Sequence, residues 1–579
     1  MGAPLGTTAP AAPLTALPPA LLVLAAAVVV AVVPRRAGTA VGALAAAAVV
    51  PWVLTVPAGD HLRTTLFGFD AVLFAVDGTA RVVALALGLV TTAGVLYAHD
   101  SGTTRRELAT LLGYVGAGLG AVFAGDWLSL VVWWELLAVG GTLLLWRSPS
   151  ADGRAAGYRY AVYHQVGGAL LVAGVLLHYT AAGSFLYEGG ITAGLPRLLA
   201  VLGVGLNVGF IGLHVWLPDS YPRAGVAVSV VLCGVTTKVA VYALLRVVPG
   251  RSLALAWAGA AMLAVGVTLA VLQTETRRLL TYHIVSQVGY MVAGVGLASP
   301  LGTGGALAHL LNNVLYKSLL FMVAGVVLLR TGEERLKKLG GLGRAMPATA
   351  AAFTVAALAI TGIPGFSGFV SKGMVIGAAD APGTRLLWWV LLVGGVGTVV
   401  SFTKFGYYAF VRSADHAAVE PDGTAAPGHL AAFAIVGVPC VVFGVAPELL
   451  LGLLPTGASS AKVFAVSQFE KAGATLLAGL VVFALVKRPL GRLPAAPDLD
   501  SLYHPAGARL RDGVARRTDE AAGWLLTRGE RVVAALARVA DGGRGPSSAA
   551  RLGLPTDPFG RGVLLLAAVA AVAVAVAVL

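Results

Sequence analysis

Apolar runs long enough to cross a bilayer as helices, about 17–25 residues each, recur along almost the whole chain. They fall near 17–33, 37–56, 72–98, 108–124, 126–146, 161–181, 195–217, 226–248, 253–272, 278–298, 304–329, 347–378, 386–410, 429–452, 472–487 and 562–579. Of 579 residues, 58% are hydrophobic and 12% charged, where soluble domains carry about 25% charged residues. The expected fold is therefore an all-α polytopic membrane protein of about sixteen transmembrane helices. The formal net charge of +14 comes with no nucleic-acid motif. In a membrane protein such charge collects in cytoplasmic loops and against lipid headgroups. Cys233 and Cys440 stand alone in apolar runs and suggest neither a disulfide framework nor metal spacing. The opening residues carry no positive charge before the first apolar run, which argues for a first helix that stays rather than a secretory signal.

Loop charge sets an orientation. Arg35 and Arg36, Arg105 and Arg106, then Arg147, Arg154 and Arg159 fall on one side of an alternating count. Arg277, Arg278, Arg335, Lys337, Lys338 and Arg344 join them, and the opposite loops are nearly bare of Lys and Arg. The rich side is expected to be cytoplasmic, with both termini outward and the chain in the cell membrane. The segment 488–561 is rich in Arg, Pro and Asp. Leu510, Val514, Ala521, Leu525, Val532, Leu536 and Val539 recur within it at roughly helical spacing, which reads as an amphipathic arm on the membrane or a partner, or else a basic linker. An apolar anchor, 562–579, follows.

Two runs are interrupted. The run 195–217 ends on LHVWLPDSYP, where Pro218 is expected to break the helix, and 347–378 contains GIPGFSGF, with Pro364 and Gly365 at a second break. Backbone groups freed inside a bilayer must find partners. Beside these breaks stand charges that a bilayer accommodates only at a cost of about 2.5–3.5 kcal/mol each. Glu135 is the lone charge in LSLVVWWELLAVGGTLLLW, Lys238 sits two turns before Arg246, and Lys372 follows the second break. His309, Asn312, Asn313, Tyr316 and Lys317, at offsets 0, 3, 4, 7 and 8, share one face of a helix and suit a file of waters and a proton relay. A polar seam between helices would account for the asparagines alone. Tyr282, His283, Ser286, Gln287 and Tyr290 make a weaker stripe, and Lys404 suits a relay or an anchor equally. The breaks lie five spans apart, and paired interruptions at that spacing point to two inverted five-helix repeats, each containing a broken helix. The domains read as 1–107, a first repeat 108–250, a second 251–412, C-terminal helices 413–487, the arm and the anchor. Walker A, haem-attachment and metal-ligand patterns are missing from the sequence, so no cofactor is expected.

The runs VWWELL, LHVWLPDSYP, TTKVAVYALLR, ETRRLLTYHIVSQVGYM, HLLNNVLYKSLLFMVAG and GIPGFSGFVSK resemble the antiporter-like membrane subunits. That superfamily comprises subunits of Mrp-type cation/proton antiporters, respiratory complex I and membrane-bound hydrogenases. The resemblance covers about residues 70–410. TKVAVYALLR and YHIVSQVGYM lean towards the D-type member of the Mrp antiporters, whereas an arm before a last span is similar to the largest complex I antiporter-like subunit and its hydrogenase and Mrp A relatives. The resemblance implies that Glu135 is the carboxylate of the fifth core helix, Lys238 the bridging lysine of the eighth, His309 and Lys317 the polar file, and Lys372 the terminal group. Two positions depart. Asn207 stands where the family carries the lysine that pairs with the glutamate, and Asn313 replaces a second histidine. Either Lys238 takes over the pairing, or the subunit conducts poorly, or it is a scaffold.

The expectation is a subunit of a hetero-oligomeric membrane complex that moves protons, alone or in exchange for Na⁺, and forms no chemical bond itself. The alternative is a subunit of a complex I-type NADH-quinone oxidoreductase or a membrane-bound hydrogenase. The third reading is a scaffold that does not conduct.

Overall fold

The computed structural model describes residues 18–148, 150–187, 189–413, 419–455, 457 and 462–492. These fall in the first of two compact units, Met1–Ala496. The chain enters on α1 (Pro19–Val32) and α2 (Arg35–Thr55), forms a hairpin of β1 (Gly59–Leu66) and β2 (Phe69–Val76), and continues with α3 (Gly78–Asp100). Then come α4 (Arg105–Phe123), α5 (Trp127–Trp146), α6 (Ala151–Ala182), α7 (Leu195–Val208), α8 (Trp216–Ser220), α9 (Val226–Leu232) and α10 (Thr236–Val247). A second series follows: α11 (Leu253–Leu272), α12 (Thr276–Leu297), α13 (Pro300–Thr331), α14 (Leu342–Ala345), α15 (Pro347–Thr361), α16 (Ser367–Ala378) and α17 (Arg385–Gly406). The described chain closes with α18 (Pro427–Val445), α19 (Pro447–Leu451) and α20 (Val466–Arg492). Among the described residues, 10 helical stretches are long and apolar enough to cross a membrane. Each expected span as far as 472–487 meets a helix or a helix pair. The arm 488–561 continues α20 to Arg492, and its remainder and the anchor 562–579 lie outside the described residues.

Local sequence sets the helix starts. Asp77, Asp126, Ser150, Ser252 and Ser299 each accept a hydrogen bond from a first-turn N–H, and Thr104 with Glu107 forms a reciprocal capping box.

One hairpin is added to the otherwise helical fold, and it takes the start of the span drawn from residue 72, so that α3 begins only at Gly78. FDAVLFAV buries every other position or nearly so, a strand pattern that looks like an apolar run when read for length alone. Its register pairs Leu66 with Phe69, leaving a two-residue turn at Phe67 (φ 52) and Gly68 (φ 85). Positive φ at both positions is what a tight right-twisting hairpin needs.

The first break also falls elsewhere than expected. Helix α7 stops at Gly209 (φ 88), the chain turns again at Gly212 (φ 90), and Pro218 lies inside the first turn of α8, where a missing N–H costs nothing. The Trp216 indole donates at 2.9 Å to the Leu206 carbonyl in the last turn of α7, which also accepts from the Gly209 N–H. The second break runs from Gly362 (φ 83) through Pro364 and Gly365 (φ 88) to Ser367. A third, unexpected interruption at 233–235 divides the span 226–248 into α9 and α10.

Helices α4–α10 and α11–α17 repeat one plan. Both α6 and α13 have 32 residues, start on a serine cap and end on a left-handed glycine, Gly183 or Gly332. Beyond α6 and α13 come α7 and α15, which each stop at a left-handed glycine, Gly209 and Gly362. A backbone bridge ties Asp126, at the start of α5, to Leu186 beyond α6, and its counterpart ties Glu275, before α12, to Arg335 beyond α13. The chain passes from Leu186 to Glu275 through α7–α8, α9–α10 and α11, so the bridges lie at opposite ends of the bundle. Helices α9–α10, α12 and α13, which carry Lys238 and the polar stripes, are buried along most of their length, as is α3.

Candidate functional site: a buried polar row

Helix α10 delivers Lys238 to the interior, where its side chain is fully buried. The interruption at 233–235 leaves the Cys233 carbonyl without a helical partner, and Lys238 Nζ donates to it at 2.7 Å and to Thr237 Oγ1 at 3.2 Å. Cys233 Sγ lies 3.8 Å from Ser318 Oγ, next to Lys317 on α13. Lys317 Nζ donates to the Leu280 carbonyl of α12 at 2.9 Å and sits 5.7 Å above the Phe402 ring. One turn earlier on α13, Asn313 Nδ2 donates to Tyr316 Oη at 3.3 Å, and that hydroxyl lies 3.3 Å from His309 Nε2. His309 Nδ1 is 3.0 Å from Ser371 Oγ on α16, beside Lys372.

Lys372 ends the row. Its amine donates to the Ile360 carbonyl, freed by the second break, and lies 5.2 Å from the centre of the Tyr290 ring. Gly362 is called for by the turn itself, at φ 83, since a Cβ there would only touch Lys372 Cδ at an ordinary 3.5 Å. The groups interact electrostatically along the row: Lys317 with Lys238 and Lys372, His309 with Lys372 and Lys238, and His283 with Lys317 and Lys372.

Several polar atoms here are buried without a protein partner: Asn312 Oδ1, Asn313 Oδ1, Gln287 Oε1, Ser367 Oγ, Ser401 Oγ and both His283 nitrogens. Each would cost about 1–3 kcal/mol if left dry. Clustered around lysines, they call for water, which typically bridges such groups.

Glu135 stands apart. It is half-buried on α5, and no hydrogen bond or ion pair to its carboxylate is present among the described residues. Its Oε1 packs against Gly168 of α6, and Asn207 Oδ1 packs against the adjacent Gly167. Asn207 is buried with that oxygen unpartnered. The Lys238 amine is occupied by Cys233 and Thr237 and forms no ion pair with Glu135.

Lys404 sits at the end of α11 rather than in the row. Its amine donates to the Val271 carbonyl at 2.8 Å and to the Gln273 carbonyl, closing the C-terminus of α11. In the loop after α13, Glu333 is structural: hydrogen bonds from Arg335 hold its carboxyl down at about 2. No group of three His, Cys, Asp or Glu among the described residues could hold a metal ion.

Sequence reasoning missed the 233–235 interruption with Ser318, and the hydroxyl groups Ser367 and Ser371. The SxxxS spacing of that pair, beside a lysine on a broken helix, was the available signal.

Residues 124–401 match the family model described as NADH:quinone oxidoreductase/Mrp antiporter, TM. The chain is 32% identical over 316 residues to the D-type component of the Na(+)/H(+) antiporter of Alkalihalophilus pseudofirmus, covering 51% of this chain and 64% of that protein. It is 30% identical over 423 residues to the N-type component of the NADH-quinone oxidoreductase of Desulforudis audaxviator, covering 67% of this chain and 82% of that protein. A chain in the structure of the Mrp complex from a Dietzia species aligns with a TM-score of 0.68 at 25% identity, over 80% of this chain and 99% of its own. Sequence and fold agree, and the chain belongs to the family of NADH:quinone oxidoreductase and Mrp antiporter membrane subunits.

Proposed function

We propose that the chain is a proton-translocating subunit of a multi-subunit membrane complex of the cation/proton antiporter type, with protons passing along Lys238, Lys317, His309 and Lys372. One observation carries the reading: three lysines and a histidine from α10, α13 and α16 form a single buried row, each held by carbonyls or hydroxyls rather than by carboxylates. Amines held only by neutral acceptors can give up a proton without stranding a counter-charge. The titrations of such neighbours are coupled, so a proton arriving at one group changes the next. Glu135, apart from the row and near Asn207, is the loading group. His283 and Asn313 act through the waters they hold, and Lys404 stays outside the path.

The two repeats, 108–250 and 251–412, face opposite ways in the plasma membrane, with the arginine-rich loops cytoplasmic and both termini outward. A second reading, a subunit of a quinone-reducing complex, rests on the match to the N-type component. Small antiporter subunits among the co-purifying partners favour the first reading, and iron–sulfur subunits favour the second.

The test is Lys238→Ala and Lys372→Ala in the assembled complex. Proton transport into vesicles is expected to fall at least about tenfold in each, with the complex intact by gel filtration. Undiminished transport in both variants rejects the relay and leaves the scaffold.

A further inference from the structure

Lys372 is the last titratable group of the row, and the row does not explain how water reaches it. A cavity of about 40 Å³ adjoins the residue, lined also by Thr361, Gly373 and Thr475. That is room for about one or two waters. Next to it lies a cavity of about 580 Å³ towards Ser299 and Asp380, at the end of the bundle where α13 begins and α16 stops. Four residues line both spaces: Phe369, Gly373, Gln468 and Lys471. Two belong to α16 and two to α20, a helix outside both repeats.

The wall is built from its sequence upward. Gly373 presents bare backbone, and a Cβ there would meet Gln468 Oε1 at 3.4 Å, so the carboxamide lies directly over the glycine. Phe369 is packed by Phe469 of α20, with ring centres 5.3 Å apart, which fixes the first turns of α20 against α16. Lys471, one turn beyond Gln468, reaches across to Asp380 at 3.7 Å and lies 5.6 Å from the centre of the Trp388 ring. Asp380 is also held by Arg385 at 2.5 Å, so loss of the lysine leaves it paired.

We propose that Gln468 and Lys471 of α20 form the outer port of the pathway, and that the Lys471–Asp380 pair holds the port shut between the large cavity and Lys372. The inference rests on the proton-relay reading for its purpose, though not for its geometry. The pair is partly exposed to solvent, which makes it weak enough to open on the time scale of a transport cycle. When it opens, the amide of Gln468 remains at the wall on the α20 side, able to donate to and accept from a passing water.

The test uses the full complex in sealed vesicles, with Thr361→Cys as a reporter inside the small cavity. Cys233 and Cys440 are buried. Silver ion, a charged thiol reagent about the size of a water, is applied from the face on which the large cavity opens. Lys471→Gln is expected to raise the labelling rate about fivefold, the scale of a partly exposed ion pair. Lys471→Arg, which can still reach Asp380, is expected to keep the parent rate, and Gln468→Trp to slow it. Equal rates in all four backgrounds overturn the port. Proton transport measured on the same vesicles separates the two claims. Faster labelling in Lys471→Gln supports the port even if Lys372→Ala transports normally, in which case the relay reading alone fails.

Discussion

Two lysines that look alike in the sequence differ in what surrounds them. Lys372 and Lys404 both lie in apolar helices and both donate to main-chain carbonyls. The carbonyls that hold Lys404 belong to the end of α11, at Val271 and Gln273, and are orphaned by the helix terminus. Lys372 instead leans over an aromatic ring beside a cavity. Lys404→Gln should therefore lower stability by about 1.5–3 kcal/mol, the range for hydrogen bonds to a charged group. Thermal melts read that loss, while transport per assembled complex should match the parent. Lost transport at parental stability would move Lys404 into the path. The periodicity of HLLNNVLYKSLLF was enough to put His309, Asn312, Asn313, Tyr316 and Lys317 on one face. It could not name Ser371, Ser367 or the Leu280 carbonyl as their partners, because a helical period gives a direction and not the neighbour found there.

Elements were legible where length and hydropathy decide, and illegible where glycine does. The span at 347–378 was recognisably two helices, since GIPGFSGF carries both proline and glycine in its middle. The break near Pro218 was misplaced, because a proline in a first turn starts a helix as readily as it ends one, and the turning residues are Gly209 and Gly212. Glycine also sets how closely the elements pack. A Cβ at Gly259 of α11 would lie 2.4 Å from the Ala293 nitrogen and 2.5 Å from the Gly289 carbonyl oxygen of α12, and backbone cannot swing aside as a side chain can. Close contacts of this kind replace the hydrophobic effect as the source of helix association in lipid. Gly259→Ala should cost about 1–3 kcal/mol through forced separation of α11 and α12. Gly473→Ala on α20, where a Cβ meets nothing within 4 Å, should cost nothing. Equal melting temperatures for the two variants would contradict this account of the α11–α12 contact.

At the scale of the molecule, the arrangement follows from a parity argument. Loop arginines give an orientation, the spacing of the two breaks gives the repeat, and an odd number of passages between equivalent points turns the second repeat over. The structure supplies the equivalent points that the sequence could not, the Asp126–Leu186 and Glu275–Arg335 bridges, because a backbone bridge leaves no mark in composition. If the repeats are inverted across a bilayer, the loop after α6 and the loop after α13 must meet different solvents. The β-hairpin lies at the first end, with the Phe67 side chain exposed at its tip, and Arg344 is exposed in the segment after α13. Phe67→Cys should therefore be labelled by a membrane-impermeant maleimide in intact cells, and Arg344→Cys only after permeabilisation. The buried Cys233 and Cys440 leave the background low. Labelling of both sites from outside would put the two bridges on one face. That would remove the inversion, and with it any reason for Glu135 and Lys372 to sit at opposite ends of one path.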